Sequence, residues 1–234
     1  MDENNTKPIY TYDGLGHNAS IWLNSNSVTA WDGTIVSGTT TGYGNTVTSA
    51  GVLDTPYNLL PAQTNVGTHT IYFKITGGSW WNDFANYTTV TINKVDNPMT
   101  IEATQSVARN YSTSAGTVSI TAPTNSKGTV SYSLVSTTLT NATVNSSTGA
   151  ITVPASSAAG TYTIVVKASD SGGTNYLSKD VNTTITLTIN KINGSGSVTM
   201  AGWTYGGTAS SPVPTSSTNG TSNVTYEYNG GLIL

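Results

Sequence analysis

The sequence predicts an all-β protein made of tandem antiparallel β-sandwich modules, the last of which is truncated. Two observations lead to this fold class. Short runs that alternate β-branched or aromatic residues with polar ones occur along the chain, and turns rich in Gly, Asn, Ser and Pro separate them at the spacing of antiparallel sandwiches. No window places apolar residues at i, i+3, i+4 and i+7 over three turns, so the pattern of an amphipathic helix is missing.

The alternating runs are assigned as strands because Val, Ile, Leu, Tyr or Phe recurs at every second position. This is the period at which the side chains of a strand point to the same face of a sheet. In chain order the predicted strands are Thr68–Ile75, Tyr87–Ile92, Gly128–Leu134, Thr161–Lys167 and Thr184–Ile189.

Internal repeats place the module boundaries. The segment Gly67–Lys74 matches Gly160–Lys167, and each is followed by a closing strand that ends in Thr-Ile-Asn-Lys, at Thr91–Lys94 and at Thr188–Lys191. Self-similarity of this kind is typical of repeated structural units. The predicted modules are residues 1–94, residues 95–191 and residues 192–234, the last being only the first half of a module.

A short aromatic-glycine motif occurs twice, at Thr11–Gly14 and at Thr204–Gly207. We interpret it as the beginning of a module, in which the Tyr covers one end of a sandwich core and the glycines permit a tight bend. A phosphate-binding loop would need a helix directly after the glycines, but Asn18–Leu23 has the pattern of another strand. The motif therefore does not predict a nucleotide site.

The composition excludes several classes of partner. Only 8% of the residues are charged and the net charge is -3, so the chain lacks the basic surface that nucleic acids need. Cysteine is absent, which excludes disulfides and thiol catalysis. No apolar run is long enough to cross a membrane, so we expect no membrane insertion in this segment.

The titratable residues do not form a recognisable catalytic set. The only histidines are His17 and His69, and His69 lies in a predicted strand at a place that Tyr162 takes in the next repeat. Such a position favours packing over general-base catalysis. The acids of the first module lie in turn-like sequences where Asp commonly bonds its own backbone, and no two carboxylates are predicted to face each other as in a glycosidase. We expect no enzymatic activity.

Several motifs resemble repeats of bacterial surface proteins. Tyr12–Gly14 and Thr91–Lys94 resemble the YDG and MBG-type modules of large exported adhesins, and Trp203–Gly207 is similar to the YGX form of that signature. The motifs of the second module that resemble the bacterial Ig-like and cadherin-like group are Val144–Val153, Gly160–Thr163 and Lys167–Gly172. The resemblance implies Ig-like sandwiches that serve as spacer or adhesion units, in an extracellular protein attached to the cell wall or cell surface.

We therefore predict a non-catalytic stalk or adhesion segment of a longer exported bacterial surface protein, with a surface glycan or protein as partner. The segment is expected to be a monomer. Residues 192–234 are an exception, because half a sandwich leaves open strand edges that pair with another module or molecule. Otherwise this terminal part is expected to be poorly ordered.

The alternative is a glycan-binding accessory module. Trp80 and Trp81 lie between two predicted strands, at a hairpin tip, where they would stack on a sugar while Asn82 and Asp83 bind its hydroxyl groups. The structural interpretation of the same tip is that one Trp folds over the end of the sandwich and the other caps the hairpin. Loss of glycan binding on replacing both tryptophans would separate the two interpretations.

A calcium site is the one metal site that the sequence suggests. In the cadherin-like comparison the linker supplies Asp96 and Asn97, and the loop after Asp170 would approach it, together with Glu102. Carboxylate and carbonyl oxygens are the ligands that Ca²⁺ prefers. The alternative is a solvated hinge, because acidic triplets are absent and Lys94 lies inside the cluster. No other cofactor is expected.

An internal lysine-asparagine isopeptide bond is a further alternative, since some surface sandwiches resist mechanical load in this way. The candidate lysines are Lys74, Lys94 and Lys167. Each of them also fits an ordinary outward position on or after a strand, which needs no such bond.

Overall fold

The structure is a computed structural model that describes residues 7–23, 33–46, 55–79 and 82–215. Sixteen β-strands and no helix occur in these residues, so the all-β prediction is confirmed. No helix in the same part of the chain is long and apolar enough to cross a membrane.

The strands follow the order of the predicted repeats. Those of the first repeat are β1 (Ile9–Thr11), β2 (Ser20–Leu23), β3 (Ile35–Gly38), β4 (Asn45–Thr46), β5 (Thr55–Asn58), β6 (Gly67–Ile75) and β7 (Phe84–Asn93). Those of the second are β8 (Thr104–Asn110), β9 (Gly116–Val118), β10 (Val130–Thr137), β11 (Thr143–Val144), β12 (Ile151–Val153), β13 (Gly160–Asp170) and β14 (Lys179–Asn190). A last hairpin consists of β15 (Ser197–Thr199) and β16 (Val213–Thr215).

The first sandwich is a five-stranded sheet in the order β1-β7-β6-β3-β4 together with the separate antiparallel pair β2 and β5. In β6, Ile71, Phe73 and Ile75 are buried, whereas Tyr72 and Lys74 between them are half-buried on the outer face. The core is completed by Ala19, Ile35, Tyr57, Leu59, Val90 and Ile92. The period-two alternation of the sequence therefore builds this core directly.

The second sandwich has two larger sheets. One has the order β10-β13-β14-β8 and the other the order β11-β12-β9. The long hairpin of β13 and β14 pairs from Gly160 with Ile189 to Asp170 with Lys179, and β8 joins β14 in parallel. Its buried residues are Val118, Tyr132, Leu139, Ala142, Ile151, Val153, Ile164, Val166, Ala168, Ile185, Leu187 and Ile189. This cluster shares no residue with the first core, and the boundaries at residues 94 and 191 stay a prediction.

The third predicted module is described only as far as residue 215. The hairpin of β15 and β16 leaves large side chains exposed, because two strands alone bury little surface. They are Val198, Met200, Trp203, Tyr205 and Val213. The strand predicted near Tyr226 lies outside the described residues, so the expected pairing of this region with another module stays a prediction.

A buried glutamine closes the open edge of the second sandwich. The Nε2 of Gln105 in β8 donates to the carbonyl of Thr121 at 3.1 Å, and the Thr121 N–H donates to Oε1 at 2.6 Å. The same Nε2 also lies 3.4 Å from the Thr183 hydroxyl. Because β8 and β9 are the outer strands of the two sheets, the carboxamide takes the place of a strand residue between them.

Replacing Gln105 by Ala is expected to lower the free energy of unfolding by about 2 kcal/mol, because two hydrogen bonds to backbone groups are lost. Urea unfolding followed by far-UV circular dichroism measures this change. The control is Ser106→Ala at the exposed neighbouring position, which should leave stability nearly unchanged. Equal stability of the two variants would show that the glutamine does not close the edge.

Candidate functional site

The best-defined candidate site is the contact between the two sandwiches. We call it the junction and define it as Tyr12, Asn65–Val66, the linker Lys94–Asn97 and the loop Ser171–Ser178. β1 runs parallel to the end of β7, which brings Tyr12 next to the linker: its N–H donates to the Asn93 carbonyl at 2.9 Å. The first aromatic-glycine motif therefore lies at the end of its sandwich that meets the second one.

The Tyr12 ring lies in two environments. It packs against the first core, and it also meets the ring of Tyr176 edge-on, with centroids 5.5 Å apart and planes at 71°. Edge-to-face pairs of this kind contribute about 0.5–1.5 kcal/mol beyond the area they bury. The tyrosine of the motif thus joins the core of one sandwich to a loop of the other.

The loop Ser171–Ser178 pairs with the linker through the backbone. The N–H of Val95 donates to the Asn175 carbonyl at 3.2 Å, and the N–H of Leu177 donates to the Val95 carbonyl at 2.9 Å. Val95 and Tyr176 form an isolated parallel bridge. The linker is consequently held like one residue of a strand, which restricts bending at this point.

Side chains add a second set of bonds across the junction. Oδ1 of Asn175 accepts the N–H of Val66 at 3.0 Å, and its Nδ2 lies 3.4 Å from Oδ1 of Asn65. The ammonium group of Lys94 donates to the carbonyl of Gly173 at 3.0 Å. Asn175 therefore contacts the first sandwich with its side chain and the linker with its backbone.

The shape of the loop depends on the buried carboxylate of Asp170. One oxygen accepts the N–H of Gly172 at 2.9 Å and the other accepts the N–H of Lys127 at 2.7 Å. Burial raises the pKa of this carboxyl, but the hydrogen bonds from the backbone N–H groups of Gly172 and Lys127, together with the polar groups of Asn97 and Gly128 nearby, outweigh it, so the pKa is lowered. Asp170 stays charged and holds the loop at neutral pH.

Three glycines allow the backbone of this loop to pack closely against itself and against Asp170. Gly172 and Gly173 have φ values of +74° and +59°, a region that residues with a Cβ rarely adopt. A Cβ on Gly172 would collide with the carbonyls of Tyr176 and Leu177, and one on Gly128 would lie 2.8 Å from the Asp170 carboxylate. The loop therefore needs glycine at these places.

The four residues of the suggested calcium site are in different environments. Asp96 and Glu102 are exposed, and Glu102 lines a cleft beside β8. Asn97 is buried: Oδ1 accepts the N–H of Met99 at 3.0 Å, and its carbonyl accepts a hydrogen bond from Lys179 at 3.0 Å. Within the described ranges no group of three or more His, Asp or Glu residues is placed to hold a metal. The calcium site stays a prediction.

Two lysine ammonium groups near the linker donate hydrogen bonds to backbone carbonyls. Lys94 binds Gly173 and Lys179 binds Asn97, each through the backbone carbonyl. Both oxygens of Asp170 are occupied by N–H donors.

The predicted glycan site lies at the other end of the first sandwich. The pairing of β6 with β7 places Gly67 beside Ile92 at the linker end and Ile75 beside Phe84 at the tip. Trp80 and Trp81 lie outside the described residues. Asn82 and Asp83 are exposed, and the tip's role in binding stays a prediction.

The Asp83 carboxylate already has partners. It forms an ion pair with Lys74 at 2.9 Å and accepts the N–H of Gly77 at 3.3 Å. The hydrogen bond from Lys74 lowers the pKa of Asp83, and the same bond raises the pKa of Lys74. The other isopeptide candidates are also engaged, since Lys167 pairs with Asp180 at 3.1 Å and Lys94 binds a carbonyl.

His69 is part of the local structure of β6. Its ring is half-buried, and Nε2 lies 2.7 Å from the Asn65 carbonyl, just beside the junction. The sequence reasoning missed Asn175 and Tyr176 as junction residues, and Lys179 as the partner of the Asn97 carbonyl. A tyrosine three residues after a Gly-Gly pair is the signal that could have marked this loop.

No protein-family model and no curated protein matches the chain. Among solved structures it is similar to mouse cadherin-23 EC22-24, with 14% identity and a TM-score of 0.38, over 81% of this chain and 65% of that one. Human protocadherin-24 EC1-2 has 13% identity and a TM-score of 0.36, over 81% of this chain and 96% of that one. Chicken VE-cadherin EC1-2 has 14% identity and a TM-score of 0.35, over 78% of this chain and 96% of that one. At these low scores, the functional interpretation depends on the contacts within the chain itself.

Proposed function

We propose that this chain is a non-catalytic stalk or adhesion segment of an exported bacterial surface protein, extracellular and attached to the cell surface as part of a longer chain. Residues 1–94 and 95–191 act as consecutive modules held in one orientation. The junction is the observation that carries this proposal. Its hydrogen bonds involve backbone and side chains of both sandwiches. Such contacts fix the orientation of one sandwich relative to the other, which makes the segment stiff.

Two further features support the same role. The resemblance of Tyr12–Gly14 and Thr91–Lys94 to YDG and MBG-type repeats favours a bacterial surface context, with a host or bacterial glycan or protein as partner. A chain with only 8% charged residues offers little to nonspecific ionic capture. A neutral, stiff spacer is what an exposed stalk needs.

The stalk role is tested by the distance between two spin labels, because the chain has no cysteine of its own. The labels are attached at Ala85→Cys and Ser133→Cys, exposed positions on β7 and β10. We expect electron–electron resonance to give one narrow distance distribution, which stays narrow in EDTA because lysines and backbone groups hold the junction. The double variant Asn175→Ala/Tyr176→Ala should broaden it.

The matched control is Thr186→Ala, an exposed change on β14 away from the junction, which should leave the distribution unchanged. A broad distribution in the unaltered junction would contradict the stalk proposal. Broadening by EDTA, reversed by Ca²⁺, would instead support the calcium site at Asp96, Asn97, Glu102 and Asp170.

A further inference from the structure

The outer face of the first sandwich carries a pair of tyrosines that no role in the core explains. Tyr72 of β6 lies directly opposite Tyr87 of β7, and both face away from the buried side of the sheet. Their ring centroids are 6.0 Å apart and their planes are tilted by 54°. Tyr87 is 55% exposed. A cross-strand pair of this kind stabilises the sheet, but sheet stability alone does not explain why the Tyr87 ring is so exposed to solvent.

An ion pair lies beside the two rings. Lys74 follows Tyr72 by two residues on the same face of β6, a distance of about 6.6 Å along the strand. Its ammonium group is 2.9 Å from the Asp83 carboxylate. The hydrogen bond between them lowers the pKa of Asp83 and raises that of Lys74, so both groups are charged at neutral pH. The pair is internally neutral and both groups remain partly exposed.

A third tyrosine lies near Tyr72 in a strained conformation. Gly38 of β3 pairs with Tyr72, and the Cα of Tyr43 lies 3.4 Å from the place that a Cβ on Gly38 would take. The φ of Tyr43 is +46°, in the left-handed region. Such a conformation costs a non-glycine residue on the order of 1–2 kcal/mol. Strained residues tend to be kept where they have a functional role. We call Tyr43, Tyr72, Tyr87, Lys74 and Asp83 the tyrosine face.

We propose that the tyrosine face binds a neutral glycan, with a pyranose ring on Tyr72 and Tyr87 and its hydroxyl groups bonded to Lys74 and Asp83. The apolar face of a sugar matches an exposed aromatic ring. A hydroxyl group can donate to a carboxylate and accept from an ammonium group, so an ion pair suits a vicinal diol. A charged ligand would be repelled by one member of the pair and would leave the other without its partner.

This proposal uses Tyr72 and Tyr87 as the stacking rings instead of Trp80 and Trp81, although Asp83 belongs to both suggested sites. It rests on the proposed function and deepens only its adhesion part. The stiffness of the junction does not depend on it. The spin-label experiment therefore tests the stalk, and glycan binding tests the tyrosine face, so failure of one is distinguishable from failure of the other.

The test is an array of neutral and acidic glycans probed with the full chain. We expect binding to neutral glycans, about tenfold weaker in Tyr87→Ala, since one ring contact of this size contributes about 1.4 kcal/mol. The control is Tyr205→Ala, which removes a fully exposed ring elsewhere and should bind as the parent does. A Trp80→Ala/Trp81→Ala variant should also keep the binding.

A solution measurement keeps the result independent of the folding of any variant. Titration of the isotope-labelled parent chain with the best neutral glycan should shift the amide resonances of Tyr72, Lys74 and Tyr87. The inference is overturned if the parent binds no neutral glycan, if it binds only acidic ones, or if the shifts fall elsewhere. Loss of binding only in the double tryptophan variant would assign the site to the hairpin tip instead.

Discussion

Replacing Gly172 by Ala is expected to lower the free energy of unfolding of the second sandwich by about 3 kcal/mol or more. The left-handed backbone at φ +74° costs about 1–2 kcal/mol for a residue with a Cβ. The added carbon also collides with the carbonyls of Tyr176 and Leu177, which are backbone atoms and cannot move without distorting the loop. Thermal and urea unfolding measure the loss.

The matched control for this change is Gly14→Ala. Gly14 has a similar φ of +82°, but nothing lies within 4 Å of an added Cβ. That variant should therefore show only the cost of the left-handed conformation, about 1–2 kcal/mol. The junction should also loosen in Gly172→Ala, because the displaced carbonyls flank the bonds to Val95. Equal losses in the two variants would show that the loop accommodates the methyl group.

Replacing Asp170 by Ala is the second change with a large expected effect, about 3 kcal/mol of unfolding free energy. It leaves the N–H groups of Lys127 and Gly172 without acceptors, and each buried unsatisfied donor costs about 1–3 kcal/mol. Asp170 itself is only 1% exposed, so water cannot easily take its place. Chemical denaturation of the variant and the parent gives the difference.

The pH dependence of stability gives an independent measure of the same carboxylate. Because the pKa of Asp170 in the folded state is below its ordinary value of 3.8, its contribution is present above that value. It is lost as the pH falls through the folded-state pKa. The parent should therefore lose more stability than Asp170→Asn on acidification from about pH 5.

The control for the acid titration is Asp180→Asn. Asp180 also has a lowered pKa, through the Ser169 and Lys167 side chains, but it is exposed, and exposed ion pairs contribute little. Its replacement should leave the slope nearly unchanged. An identical slope for the parent and Asp170→Asn would contradict the role assigned to Asp170.

The strands could be predicted because their signal is local. The alternation in Thr68–Ile75, Thr161–Lys167 and Thr184–Ile189 identifies both the strand and its buried face, and β6, β13 and β14 contain these segments. The predicted strand Gly128–Leu134 begins and ends before β10, which runs from Val130 to Thr137. The end of a strand depends on its partner, which periodicity alone does not show.

The candidate site could be predicted only in part. The linker and the loop after Asp170 were expected to approach each other, since the hairpin of the last two strands points back to the entering chain. The polarity of Asp96, Asn97 and Glu102 suggests a cation there, which stays a prediction, whereas the hydrogen bonds of Lys94 and Lys179 to the carbonyls of Gly173 and Asn97 are seen only in the structure. Ligand chemistry read from side-chain types does not reveal whether an oxygen already has a hydrogen-bond donor.

By itself, the amino-acid sequence determined an all-β chain with repeated sandwich patterns, because burial on one face of a strand imposes a period of two on neighbouring residues. Only the tertiary structure decided what joins the sandwiches. Lys94 meets Gly173 across 79 positions and Val66 meets Asn175 across 109. Contacts between residues so far apart leave no periodic trace, since each depends on how two separately folded surfaces come together.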